Sequence, residues 1–111
     1  MSYSIIPTHL FEKELKRLAK KFPSLKNEFA RLIADIAENP KTGTFIGNSC
    51  YKIRLAIASK GKGKRGGARV VTHLYIAAET VYLLTIYDKG EKADLKPNEL
   101  KELIESLELD I

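Results

Sequence analysis

The chain has a single cysteine, Cys50, and only two histidines, His9 and His73. One cysteine cannot form an internal disulfide, and it points to a reducing, cytoplasmic setting. Three scattered N/S side chains fall short of a tetrahedral zinc set, so no metal and no cofactor are expected. No stretch approaches the run of roughly 18 apolar residues that a membrane span needs. The N-terminus, Met1 to Ile6, lacks the basic lead and the length of a signal peptide, so no secretory leader is expected. Internal repeats and linker-like segments are also missing. The most informative lack is local. Residues 39–78 contain no Asp or Glu, yet they hold eight cations: Lys41, Lys52, Arg54, Lys60, Lys62, Lys64, Arg65 and Arg69. The residues before them carry seven cations against five acids, and those after carry four against nine. Ordinary surfaces mix the signs. A one-sided field of this size steers and holds a polyanion.

With 111 residues, 44% of them hydrophobic and 30% charged, the chain suits one domain with a modest core. Residues 3–7 are β-prone and stop at Pro7. Thr8 is placed to cap a helix whose apolar face is Phe11, Leu15, Leu18 and Phe22. Pro23-Ser24 breaks that helix, and Ser24 is placed to cap a second one with the stripe Leu25, Phe29, Leu32, Ile33 and Ile36, which Asn39-Pro40 ends. Residues 41–49, rich in Gly, Thr and Asn, read as a loop. From Tyr51 to Ile57 the chain alternates, placing Tyr51, Ile53, Leu55 and Ile57 on one face and Lys52, Arg54 and Ala56 on the other. Cys50, at the start of this strand, reads as inert packing. Residues 60–67 read as a mobile basic loop. Residues 69–77 form a strand with Arg69, Val71, His73 and Tyr75 on one face. A tight turn at Ala78-Glu79-Thr80 leads to a buried strand from Val81 to Tyr87. After a charged loop, Pro97 opens a last helix striped by Leu100, Leu103, Ile104 and Leu107. The order is β-α-α-β-β-β-α, with the last three strands an antiparallel meander and the helical hairpin on one sheet face.

RNA can be cut without a metal when its 2′-hydroxyl attacks the adjacent phosphorus and the 5′-oxygen departs. The reaction needs a base, an acid and positive charge around the phosphorane. Lys52, Arg54 and Arg69 lie on strands, and Tyr87, Lys89 and Lys92 lie where the last strand exits. Groups carried on strands are held more rigidly than groups on loops. Neighbouring cations can adapt Lys or Tyr to proton transfer.

Three segments in order, Tyr51-Lys52-Ile53-Arg54-Leu55, Gly66-Gly67-Ala68-Arg69-Val70-Val71 and Val81 to Leu95 with its Tyr87-Asp88-Lys89-Gly90-Glu91-Lys92-Ala93-Asp94-Leu95 ending, resemble the RelE/ParE superfamily of toxins, and most nearly its HigB-like branch. The likeness spans essentially the whole chain. It implies an α+β, RelE-like fold over residues 1–111: an N-terminal strand and a helical hairpin packed on a small antiparallel sheet, with a C-terminal helix. It also implies the toxin of a type II toxin–antitoxin system, a metal-independent mRNA interferase that cleaves translated mRNA in the ribosomal A site. Its partners would be the 70S ribosome, mRNA and a cognate antitoxin, which in HigB-like pairs is often a helix-turn-helix protein. By position, Lys52 and Arg54 match the family's strand cations, with Lys52 its candidate base. Arg69 matches the arginine at the scissile phosphate, and Lys89 and Lys92 match the basic pair after the last strand. Tyr87 is a candidate for base stacking or for proton transfer. Some relatives carry a catalytic tyrosine near the final helix. Asp94-Leu95-Lys96-Pro97 has none, which leaves the general acid open.

Each residue also has a plainer reading. Lys60, Lys62, Lys64 and Arg65 suit binding of ribosomal RNA, but a charge run is also a normal solvated loop. Alternation alone places polar residues at positions 52 and 54. Arg69 could serve an ion pair. His73, on the Arg69 face, is an RNA-binding candidate and equally a satisfied, half-buried histidine. Two other functions fit the charge: a ParE-like toxin that inhibits gyrase without cutting RNA, and a non-catalytic RNA- or ribosome-binding module.

Overall fold

A computed structural model of the chain describes residues 3–61 and 63–110, with the backbone alone at residues 64, 65 and 108–110. The apolar stripes become the inner faces of two helices. Helix α1 (His9–Lys21) starts at Thr8, whose hydroxyl accepts from the Phe11 N–H, and it buries Phe11 and Leu18. Helix α2 (Leu25–Glu38) buries Leu25, Leu32 and Ile36. The expected cap at Ser24 is not made. Its hydroxyl instead donates to the Glu28 carboxylate at 3.0 Å and accepts from the Ser59 N–H at 2.9 Å. It ties the helical hairpin to the segment after β3.

The sheet has five strands: β1 (Ser4–Pro7), β2 (Thr44–Gly47), β3 (Cys50–Leu55), β4 (Ala68–Tyr75) and β5 (Thr80–Asp88). Their spatial order is β1-β5-β4-β3-β2. The meander β3-β4-β5 is antiparallel, while β1 adds to β5 in parallel, with Ile5 opposite Val81. Strand β2 corrects the reading of residues 41–49 as a loop. It joins β3 through Asn48 and Ser49, whose φ values of 53° and 58° are those of a two-residue type I′ hairpin. A four-residue edge strand made of Thr, Phe, Ile and Gly is too short to show an alternation. Where the basic segment read as a mobile loop is described, it has local structure: Ala58–Lys60 form a 3₁₀ turn and Gly63–Gly66 one helical turn, α3.

The two sheet faces bury different cores. The hairpin face packs Ile53, Val70, Leu74, Val81, Leu83 and Ile86 under α1 and α2. The other face packs Cys50, Val71, Tyr82, Leu84 and Tyr87 with Leu103 and Leu107 of α4 (Glu99–Asp110). Pro97 stands two residues ahead of α4 rather than within its first turn. Among the described residues no helix is long and apolar enough to cross a membrane.

Strand β5 does not alternate throughout. Val71 pairs with Thr85 and Thr72 with Leu83, so Leu84 is an extra residue, a β-bulge. Thr85 and Ile86 both face the hairpin, where Glu14 of α1 accepts from the Thr85 hydroxyl at 2.6 Å and from the Ile86 N–H at 3.3 Å. Burial raises the Glu14 pKa, and these two bonds offset only part of that rise. Alternation resumes with Tyr87 on the α4 face.

Candidate nucleic-acid interface

The site begins with a glycine that has no room for a side chain. A Cβ on Gly67 would lie 2.1 Å from the Leu55 carbonyl oxygen and 3.1 Å from the Ala56 Cα. The backbone of β4 can therefore start hard against the end of β3. The same residue accepts from the Lys89 N–H at 3.0 Å, which brings in the exit of β5. Three strand ends meet at one point, and Arg69 follows two residues later.

Arg69 is 5% exposed. Across the two ladders its neighbours are Arg54 and Tyr87, so the three share one transverse row. Its guanidinium donates to the Ala68 carbonyl at 3.1 Å. Lys52 pairs with Val71 and so lies on the same face, one row along.

Lys52 and Tyr87 meet at Asp94. The Lys52 ammonium lies 3.2 Å from Asp94 Oδ1, and the Tyr87 hydroxyl makes a long contact of 3.5 Å with the same oxygen. The Leu95 N–H donates to it at 2.8 Å. That amide bond, followed by the Lys52 bond, holds the Asp94 carboxyl below its ordinary range. Burial pushes the Tyr87 phenol up to about 12, the Asp94 charge adds to the rise, and Arg69 opposes it. Tyr87 is thus a phenol that keeps its proton at neutral pH. The Lys92 ammonium sits 5.3 Å from the centre of its ring.

The other sequence-derived residues divide. Lys89 donates to the Ala93 carbonyl at 2.6 Å, and Lys92 pairs with Glu99; both brace the loop that carries Asp94. Arg54 is exposed and lines a hollow of about 330 Å³ with Glu28, Arg31 and Asp35 at the sheet edge. Lys60 is not with them. Its side chain is 10% exposed, with the ammonium paired with the carboxylate of Asp88 and 5.4 Å from the centre of the Phe22 ring. His73 shares the Arg69 face but lies at the far end of β4, opposite Cys50, with Nδ1 3.4 Å from the thiol sulfur. Desolvation lowers its pKa, and burial pushes the Cys50 thiol up to about 12. Lys62 and the side chains of Lys64 and Arg65 lie outside the described residues.

Reasoning from the sequence assigned no part to Asp88 or Asp94, although both stand inside the Tyr87–Leu95 segment. Asp88 ends an otherwise uncharged, buried strand, which is itself a signal that a partner awaits it. Burial alone would raise its carboxyl. The Lys60 bond, the Gly90 N–H at 3.0 Å and the Lys60 and Lys21 charges outweigh burial and hold it below the ordinary range. Among the described residues, no three His, Cys, Asp or Glu side chains group as a metal site would.

Comparison with known proteins matches this arrangement to one family. Residues 9–107 fit the model described as the RelE toxin of the RelE/RelB toxin–antitoxin system. A mutant of the E. coli toxin RelE in the free state superposes with a TM-score of 0.65 at 16% identity, over 96% of this chain and 98% of that one. The intact E. coli RelBE toxin–antitoxin complex gives 0.60 at 18%, over 78% and 96%. The RelBE2 complex of Mycobacterium tuberculosis gives 0.56 at 18%, over 85% and 95%. At these identities the structures speak for the fold, and none of the matches narrows the chain to the HigB-like branch. The family model covers nearly the whole chain, and the chain belongs to the RelE toxin family of toxin–antitoxin systems.

Proposed function

We propose that this toxin is a ribosome-dependent endoribonuclease that cleaves translated mRNA, with Arg69, Lys52 and Tyr87 at the scissile phosphate. The observation that carries the reading is the convergence of Lys52 and Tyr87 on one carboxylate oxygen, beside the row that holds Arg69. A carboxylate oxygen and a non-bridging phosphate oxygen ask for the same donors. In this reading Arg69 and Lys52 stabilise the charge that builds on the phosphorane. Tyr87, protonated at neutral pH, gives its proton to the departing 5′-oxygen. Lys52 acts on the attacking side, Arg54 holds the neighbouring phosphate, and Lys89 and Lys92 keep the loop in place.

The same reading gives the partners. Lys64 and Arg65, with Lys62, remain candidates for ribosomal RNA, while Lys60 serves Asp88. RelE relatives of this fold are seen in complex with their antitoxins. An antitoxin that covers the Arg69 row would silence the toxin in the cytoplasm.

The test is induction in a bacterial host with mapping of mRNA 5′ ends. Cuts inside translated frames, lost with Arg69→Gln, are expected. Intact transcripts during growth arrest would overturn the proposal, and DNA breaks in their place would point to gyrase.

A further inference from the structure

Asp94 fills the place where the proposed function needs a phosphate. Its Oδ1 takes three donors at once: the Lys52 ammonium, the Leu95 N–H and, at longer range, the Tyr87 hydroxyl. The carboxylate carries one negative charge, as does a phosphodiester. It is 64% exposed, so displacement costs it little rehydration, whereas Lys52, at 29%, is left facing the groove. The loop behind it is clipped at both ends, by Lys89 on the Ala93 carbonyl and by Lys92 on Glu99. A tethered group of this kind competes at an effective concentration of roughly millimolar or more. RNA free in solution at micromolar levels cannot match that. RNA already held in place by other contacts can, because its phosphate too is presented at a high local concentration.

We infer that Asp94 is a specificity-determining residue: a resident anion in the seat formed by Lys52, Tyr87 and the Leu95 amide, which a phosphodiester displaces only when the RNA is positioned from outside the site. The selection for positioned over free RNA is then built into the toxin itself. The inference rests on the nuclease reading only for the identity of the incoming anion.

The experiment separates the two. The probe is a trinucleotide with a 2′-deoxy centre, which cannot be cleaved, and its binding is measured by fluorescence anisotropy at fixed low salt. Asp94→Asn is compared with the unaltered toxin and with Glu38→Gln, which makes the same charge change on an exposed part of α2. Asp94→Asn is expected to tighten the probe by about tenfold over the Glu38→Gln control, the release of an occupied fraction. The absorbance titration of the Tyr87 phenol, assigned by its loss in Tyr87→Phe, should move down from about 12 in the same variant. Cleavage of free RNA should rise with it. Unchanged or weaker probe binding in Asp94→Asn, with mRNA cleavage on the ribosome intact in the unaltered toxin, overturns the resident anion and leaves the nuclease standing. Tighter binding with no cleavage by either protein, on or off the ribosome, supports the seat and removes the nuclease.

Discussion

Asp88 and Asp94 stand six residues apart, and each neutralises a lysine, yet they sit in opposite surroundings. The Asp88 side chain is 4% exposed and its partner Lys60 is 10% exposed. Around it gather the Gly90 N–H, the Lys21 ammonium at 3.8 Å and the Phe22 ring beneath Lys60. Asp94 has water on most of its surface and shares Lys52 with an open groove. A buried pair resists separation because the survivor would be left charged and dry. An exposed pair is worth little and exchanges readily. The difference teaches which cations of a basic protein are available: Lys60 belongs to the fold, while Lys52 stands in an exposed pair that another anion can enter.

Five expected outcomes sharpen or break that contrast. The largest concerns the proposed phosphate site. Arg69→Gln should lower the single-turnover rate on ribosome-bound message by about 10²- to 10³-fold, the usual cost of one donor to a developing oxyanion. Next is the junction of strand ends. Gly67→Ala must move backbone, because its Cβ would fall 2.1 Å from the Leu55 oxygen; urea melts should show a loss of about 3 kcal/mol. Asp88→Asn should cost about 2 kcal/mol in the same assay, discounted from a fully buried pair because Lys60 can reach water. Fourth is pH. The folded Asp88 pKa lies below the unfolded one, so its contribution is complete above about pH 4 and is lost as pH falls through the folded value. Glu14 runs the other way: its raised pKa gives a contribution present in acid and lost as pH rises through the folded value. The gap between the unaltered protein and Asp88→Asn should therefore close in acid. Smallest of all, Asp94→Asn and Glu91→Gln should each stay within about 0.5 kcal/mol. An Asp88→Asn loss no larger than that of Asp94→Asn would break the comparison.

Much of the scaffold could be read in advance, and the reasons are physical. Long stripes such as Phe11-Leu15-Leu18 and Leu25-Leu32-Ile36 declare helices because the 3.6-residue period repeats several times. The alternation from Tyr51 to Leu55 placed Lys52 and Arg54 at alternate positions of one strand, as the register shows, but their side chains part: Lys52 meets Asp94, and Arg54 lines a hollow with residues of α2. What escaped were features without a period. β2 is too short to alternate. Ser24 has the chemistry of a cap, but Ser59 and Glu28 claim its hydroxyl. The burial of Lys60 depends on Asp88 arriving from the end of β5, a contact between residues 28 positions apart. The meeting of Lys52 with Asp94 spans 42 positions and follows from the path of a loop that composition does not fix.

The bulge at Leu84 has a consequence of its own. Counted in strict twos from Val81, the phenol at position 87 would point under the helices, and Ile86 would surface beside the arginines. One surplus residue re-phases the strand, so inside and outside trade places for everything downstream. Inserting one more regularly paired residue after Leu84 would turn that phenol under the helices without altering any side chain of the groove, whereas deleting Leu84 would leave a regular ladder with Thr72–Leu83, Val71–Thr85 and Arg69–Tyr87 still paired. The chemistry of this sheet thus hangs on a count as much as on a composition.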